Sequence, residues 1–243
     1  MKRLAHYSQY FLRSPRLVKE LVGHTNINRH DIVYDIGAGS GIVSAVLAER
    51  CRSVVAVEVE PRMAGKLRSN MERLPNVSVH EGDVLLMPLP KTPYKIFANI
   101  PFHLSSPIVR RFTEAEHPPA AMYLIVQKQF ANKLLPDSDR FTGQLGMLIG
   151  PKFAVRIRKR LRRTDYWPHP NVDTVLLEII PREQPLIAKK DLPAYRQFII
   201  DCFSDPKQFA KTPRASVGLP PETRPSQMQL NQWVALFMKW QKR

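Results

Sequence analysis

The sequence predicts an α/β fold on a mostly parallel sheet, followed by a small helical lobe. Three observations carry this expectation. Short β-branched runs alternate with segments of helical periodicity through the first half of the chain, and the runs end at glycine, an acid or an amide. Gly37, Gly39 and Gly41 are three of only ten glycines in 243 residues, and they directly follow the first clear run. Beyond Pro181 such runs cease and apolar residues recur at helical spacing. Strands that alternate with helices imply right-handed crossovers and a parallel sheet covered on both faces.

The elements follow in order. Residues 1–30 mix Lys2, Arg3, Arg13, Arg16 and Lys19 with Tyr7, Tyr10 and Phe11, a basic arm. After Ser14-Pro15, a cap followed by a first-turn proline, Leu17, Val18, Leu21 and Val22 form a helical stripe. Ile32 to Ile36 is an apolar run that ends in glycines, and Ile42, Val43, Val46 and Leu47 then recur at helical spacing: strand, glycine loop, helix. The pattern repeats with a strand over 53–59, a helix over 61–74, a strand over 77–80 ending at Gly82-Asp83, and a strand over 95–98 ending at Asn99. Residues 121–126 form a fifth strand. Residues 153–158 alternate apolar and basic, and 175–180 are apolar, which predicts a closing hairpin joined by the loop 164–173. Tyr195, Phe198, Ile199, Cys202 and Phe203 lie on one helix, and Leu230, Trp233, Val234, Phe237 and Met238 on a last one, with a polar, proline-rich stretch between. We therefore divide the chain into an α/β domain with its basic arm, residues 1–180, and a helical lobe, residues 181–243, too small to fold well alone.

Charge narrows the partners. Lys and Arg number 37 against 21 Asp and Glu, a formal net charge of +16, which predicts attraction to a polyanion, with nucleic acid ahead of an anionic membrane surface. The longest apolar run, 120–126, is far short of a membrane span, and Arg13 and Arg16 stand where a signal peptide would be apolar. A cytoplasmic protein, acting as a monomer away from membranes, is expected. Cys51 and Cys202 lie in unrelated contexts and match neither a disulfide framework nor a metal or redox motif, so no metal is expected.

The run Asp35-Ile-Gly-Ala-Gly-Ser-Gly41 falls where an α/β sheet binds nucleotide-like ligands, at the carboxyl end of a strand. It departs from the dinucleotide pattern because Ile42 occupies the place of the third glycine, so a pyrophosphate is not specified. Glu58 ends the second strand, where a carboxylate can accept the hydroxyl protons of a ribose. Asp83 ends the third, where it can accept from an adenine amine. An adenosine without phosphate, flanked by acids that suit a cation, describes S-adenosylmethionine. Asn99-Ile100-Pro101-Phe102 ends the fourth strand. The exocyclic amine of adenine shares its lone pair with the ring and is a poor nucleophile. If the Asn99 side-chain oxygen and the Ile100 carbonyl accept its two protons, the lone pair is freed toward a methyl donor. Pro101 stiffens the loop, and Phe102 offers a face for an extruded base.

These motifs, together with Ser8-Gln9-Tyr10-Phe11-Leu12, Val57-Glu58, Gly82-Asp83, Val126-Gln127 and Pro168-His-Pro-Asn-Val-Asp173, resemble in order those of the rRNA adenine N6-methyltransferases, the superfamily of the Erm and KsgA-type enzymes. The resemblance spans about residues 6–180. It implies a class I, Rossmann-like S-adenosylmethionine-dependent methyltransferase with a seven-stranded sheet and a helical carboxyl-terminal lobe that binds RNA. It further implies that Gln9, Tyr10, Leu12, Gly37, Gly39, Glu58, Val59, Asp83, Val84 and Asn99 surround the cofactor, and that Asn99, Ile100, Pro101, Phe102 and Tyr166 meet the target base, Tyr166 as a second aromatic. Tyr10 stands where the family has Asn. The last helix, with Gln232-Trp233-Val-Ala-Leu-Phe237, resembles the short ending of the Erm branch, which implies methylation of one adenine of 23S rRNA and resistance to macrolides, lincosamides and type B streptogramins. A KsgA-like 16S rRNA dimethyltransferase, a DNA adenine methylase and a non-catalytic nucleic-acid-binding scaffold are the alternatives.

Lys152, Arg156, Arg158, Lys159, Arg160, Arg162 and Arg163 fall within twelve residues that contain no acid. Such a run suits phosphate contacts that position RNA without reading its sequence, and Lys2, Arg3 and Arg13 are expected to add to the same field.

Overall fold

The computed structural model describes residues 11–137 and 141–242. The chain divides into two compact units, one of Met1–Lys128 with Ile157–Ile180 and the other of Gln129–Arg156 with Pro181–Arg243.

The first unit opens with the two-residue strand β1 (Phe11–Leu12) and the helix α1 (Pro15–Gly23). Ser14 caps α1, its hydroxyl accepting from the Arg16 N–H at 3.2 Å, and Val18, Leu21 and Val22 are buried on the expected face. Then come β2 (Ile32–Ile36), α2 (Ile42–Ala48), β3 (Ser53–Glu58), α3 (Pro61–Met71), β4 (Val77–Glu81), β5 (Lys95–Asn99), α4 (Ser105–Thr113) and β6 (Ala121–Gln127). The Glu60 side chain caps α3 by accepting from the Arg62 and Met63 N–H groups. The helix stops three residues before the expected Leu74, because Pro75 disfavours a helical conformation at the residue before it.

Helices α5 (Lys128–Leu134) and α6 (Gln144–Ile149) lead to β7 (Phe153–Leu161), β8 (Tyr166–Trp167) and β9 (Thr174–Pro181). The main sheet has the order β4-β3-β2-β5-β6-β9-β7. Pairs β3/β4, β2/β3, β2/β5 and β5/β6 are parallel, and β9 runs antiparallel to β6. The expected hairpin is present, with β9 inserted between β6 and β7. Strands β5, β6 and β9 are buried almost throughout, as strands covered on both faces must be. Chain order reverses between β2 and β5, so the carboxyl ends of β2 to β5 open a crevice on one edge. A second, two-stranded sheet pairs β1 with β8 in antiparallel register, Phe11 opposite Trp167 and Leu12 opposite Tyr166.

The second unit is helical and adds α7 (Leu192–Ser204), α8 (Pro206–Ala210) and α9 (Leu230–Trp240). Trp233 is fully buried among Phe198, Phe203 and Phe209, with ring centroids 5.4 to 6.0 Å away. Leu236 takes the core position of α9, while Met238, expected inside, is exposed. The lobe expected from residues 181–243 also takes in 129–156. Those residues complete its core: Met147 belongs to the cluster around Trp233, the Tyr195 hydroxyl donates to the Met147 carbonyl at 3.1 Å, and the Leu230 N–H donates to the Pro136 carbonyl at 2.8 Å. The enlargement supplies apolar area that a lobe of the expected size lacks.

Candidate active site

The loop after β2 is shaped by its own backbone. The N–H groups of Gly37 and Ala38 both donate to the Val57 carbonyl, at 2.8 and 3.0 Å, and turn the chain over the end of β3. Gly39 and Gly41 have φ of +57° and +94°, a left-handed conformation that side chains disfavour. A Cβ on Gly41 would come within 2.7 Å of both Leu67 and Met71 on α3. Beneath the loop Asp35 is buried, its carboxylate accepting from the Ser44 hydroxyl at 2.6 Å. Burial pushes this carboxyl up to about 7; the Ser44 hydrogen bond works against that, and the neighbouring Glu58 charge works with it.

Glu58 ends β3 and is 3% exposed. Its Oε2 accepts from the Gly39 N–H at 2.8 Å, and its Oε1 accepts from the Val59 and Glu60 N–H groups, both at 3.0 Å. Three amides thus fix the carboxylate at the end of β3. Asp83 is exposed and its Oδ1 accepts from the Leu85 N–H at 2.8 Å.

Asn99 ends β5, in register with Ile125 of β6. Pro101 leads into a single 3₁₀ turn, Phe102–Leu104, closed by the Leu104 N–H to the Pro101 carbonyl and braced by the Ser105 hydroxyl donating to the Phe102 carbonyl, each at 2.9 Å. A Cβ on Gly37 would sit 3.6 Å from Pro101 Cδ, so the glycine loop and the Asn99 loop meet face to face across the switch between β2 and β5.

One cleft gathers these groups. Gly37, Gly39, Glu58, Val59, Asp83, Val84 and Asn99 to Phe102 all line it. Gln9 and Tyr10 lie outside the described residues, as do Lys2 and Arg3. Two of the expected residues do not line the cleft. Leu12 is buried in the core, and its neighbour Phe11, 38% exposed, lines the cleft. A two-residue strand shows no alternation from which its inward side could be read. Tyr166, expected to face the target base, is fully buried in the same core as Leu12, its hydroxyl 2.7 Å from that of Thr174, and burial pushes its pKa up. Its partner in β8, Trp167, is the exposed one. His103, Leu104 and Ile108 also line the cleft, and only their proximity to Asn99 in sequence pointed to them.

The basic run divides by partner. Lys159 pairs with Glu20 at 2.6 Å, Arg163 with Asp173 at 3.3 Å, and Arg158 with the buried Glu178 at 3.8 Å while its Nε donates to the His24 carbonyl at 3.1 Å. Lys152 lies over the Phe153 ring. Arg156, Arg160 and Arg162 are exposed and form no ion pair among the described residues. Arg13 is exposed too, and its N–H donates to the Asp165 carbonyl at 3.0 Å. Among the described residues no group of three or more His, Cys, Asp or Glu is placed to hold a metal, and no helix is long and apolar enough to cross a membrane.

A sheet of this order with a glycine-lined crevice at its strand ends is the class I, Rossmann-like methyltransferase architecture, and solved structures agree. The 23S rRNA methyltransferase ErmE superposes with a TM-score of 0.82 at 25% identity, over 94% of this chain and 98% of that one. A dimethyladenosine transferase from Plasmodium falciparum shares the fold, with a TM-score of 0.76 at 21% identity over 96% and 98%. The particular family follows from sequence: residues 2–211 match the model of the ribosomal RNA adenine dimethylases, and the chain belongs to that family. It is thus a methyltransferase enzyme of the rRNA adenine N6 class. An rRNA adenine N-6-methyltransferase of Staphylococcus aureus (strain Mu50) is 36% identical over 79% of this chain and 77% of its own length. A ribosomal RNA small subunit methyltransferase A of Streptococcus agalactiae is 28% identical over 76% and 67%.

Proposed function

We propose that the protein transfers methyl from S-adenosylmethionine to N6 of one adenine in 23S rRNA, once or twice, and that this modification confers resistance to macrolides, lincosamides and type B streptogramins. The observation that carries the reading is the single cleft shared by Glu58, Asp83 and the Asn99 to Phe102 loop. The cleft suits the cofactor: left-handed glycines keep side chains out of its floor, Glu58 and Asp83 supply acceptors for ribose and adenine, and Ile36, Val57 and Ile100 supply apolar walls. The likeness to the 23S rRNA methyltransferase ErmE, at a TM-score of 0.82 and 25% identity, favours 23S rRNA over 16S.

When bound, the cofactor supplies a methyl group on a cationic sulfur. Asn99 accepts one N6 proton through its side-chain oxygen and Ile100 the other through its carbonyl, so the nitrogen lone pair is turned toward the methyl. Phe102 holds the extruded ring, and Pro101 and the 3₁₀ turn after it keep the acceptors in place. The amine becomes acidic only once methylated, and its proton then passes to water, so no strong base is required. The rate gain comes from positioning and from hydrogen bonds that strengthen as positive charge develops on the amine.

The test is transfer of radiolabelled methyl from S-adenosylmethionine to protein-free 23S and 16S rRNA, mapped by primer extension. Transfer to 23S rRNA alone is expected, with a single stop at an adenine of its macrolide-binding loop where that adenine is dimethylated. Stops at paired adenines near the 3′ end of 16S rRNA would move the substrate to the small subunit, and absence of transfer to either would refute the catalytic reading.

A further inference from the structure

Among the described residues Trp167 is the second most exposed of the large apolar side chains, at 63%. Its position accounts for this. Residues directly opposite in an antiparallel pair point to the same face, with Cβ atoms about 4.5–5.5 Å apart. Leu12 and Tyr166 form one such pair and are buried; Phe11 and Trp167 form the other and point away from that core. Phe11 on this outer face lines the catalytic cleft, its ring 3.4 Å from where a Gly39 Cβ would be. Trp167 therefore lies directly across the strand pair from a residue that lines the cleft. Its indole meets the His169 ring nearly at right angles, at 6.0 Å, a contact that orients it without burying it. The chain leading into β8 carries Arg160, Arg162 and Arg163, all exposed. A rigid aromatic face set among cations is the combination that holds unpaired nucleobases, the ring stacking a base and the cations taking its phosphates.

We propose that Trp167 stacks a nucleobase of the substrate RNA adjoining the target adenine, holding the strand in its splayed form while Phe102 holds the target itself. This rests on the rRNA reading above and adds a substrate-contact residue to it. The charge around Trp167 selects a polyanion over an apolar protein partner.

The experiment compares wild type, Trp167→Ala and Trp167→Phe in methylation of protein-free 23S rRNA, with S-adenosylmethionine affinity measured by calorimetry. Trp167→Ala is expected to lower kcat/KM for RNA by about 10- to 100-fold, mainly through KM, with Trp167→Phe recovering most of the loss and cofactor affinity unchanged. A second readout uses intrinsic fluorescence: adding the same RNA should quench the wild type, and Trp167→Phe should lose that quenching while still binding. Wild-type kcat/KM in Trp167→Ala, or RNA quenching undiminished in Trp167→Phe, would overturn the proposal. Should wild type methylate no rRNA, the reading of its function falls instead, and the quenching comparison still decides whether Trp167 stacks RNA.

Discussion

The cleft at the strand ends and the basic strand β7 are both dense in functional residues, yet the fold treats them differently. In the cleft, backbone atoms define the positions: Gly39 and Gly41 occupy left-handed conformations, three amides hold Glu58, and a 3₁₀ turn braces the loop after Asn99. Along β7 the groups are cations on long flexible stems, and the fold has engaged some of them, Arg158 with a buried glutamate and Lys159 with Glu20 on α1. Chemistry on one atom demands geometry, whereas attraction to a polyanion demands only charge summed over a face. Single substitutions should therefore be severe in the cleft and graded on the strand.

The sharpest test of that contrast is Asn99→Ala. Loss of one positioned hydrogen-bond partner should cut methyl transfer by about 10²–10³-fold or more while cofactor affinity stays within a few-fold, measured by single-turnover transfer and calorimetry. A variant that keeps most of its rate would remove Asn99 from the polarising role. Gly41→Ala probes the loop without touching substrate. A left-handed alanine costs about 1–2 kcal/mol, and its contacts with Leu67 and Met71 add about 1–3 kcal/mol, so the midpoint of chemical denaturation should fall accordingly.

Asp35 adds a pH signature. Its native carboxyl titrates near 7, above the ordinary carboxylate value of 3.8, so the folded state holds the proton more tightly than the unfolded state between these limits. The stability linked to this group is complete below pH 4 and is lost as pH rises through 7. Asp35→Asn cannot ionise, so it should gain on wild type between pH 5 and 8, by on the order of a few kcal/mol in urea unfolding of the cofactor-free protein. A constant difference across that range would contradict the assignment.

The mildest effect is expected on the strand. Replacing Arg156, Arg160 and Arg162 together with Gln should weaken RNA binding and reduce the slope of log affinity against log salt by about 2, at about 0.7 per phosphate contact. The same change at Lys159 and Arg163, which have carboxylate partners, should reduce the slope less per residue replaced. Equal reductions per residue in the two sets would erase the division by partner.

Much of the cleft's lining was legible in sequence because its signals are local. A glycine cluster after an apolar run, and Glu58, Asp83 and Asn99 each at a strand end, need only neighbours in the chain to be placed, since a parallel strand delivers its last residue to the same edge as the next. The facing of β1 and β8 was not legible. Which of Phe11 and Leu12, or of Tyr166 and Trp167, turns inward depends on a pairing between segments more than 150 residues apart and on what lies beneath it.

By itself, then, the sequence determined the alternation of strands and helices, the crevice at the strand ends and the excess of positive charge, all set by periodicity, backbone conformation and composition. Only the tertiary structure decided that Tyr166 is core and Trp167 surface, that three cations of the basic run have acidic partners, and that residues 129–156 join the helical unit. Each of these turns on contacts between distant segments, and the free energy of burying a ring or pairing a charge exists only once both partners are in place.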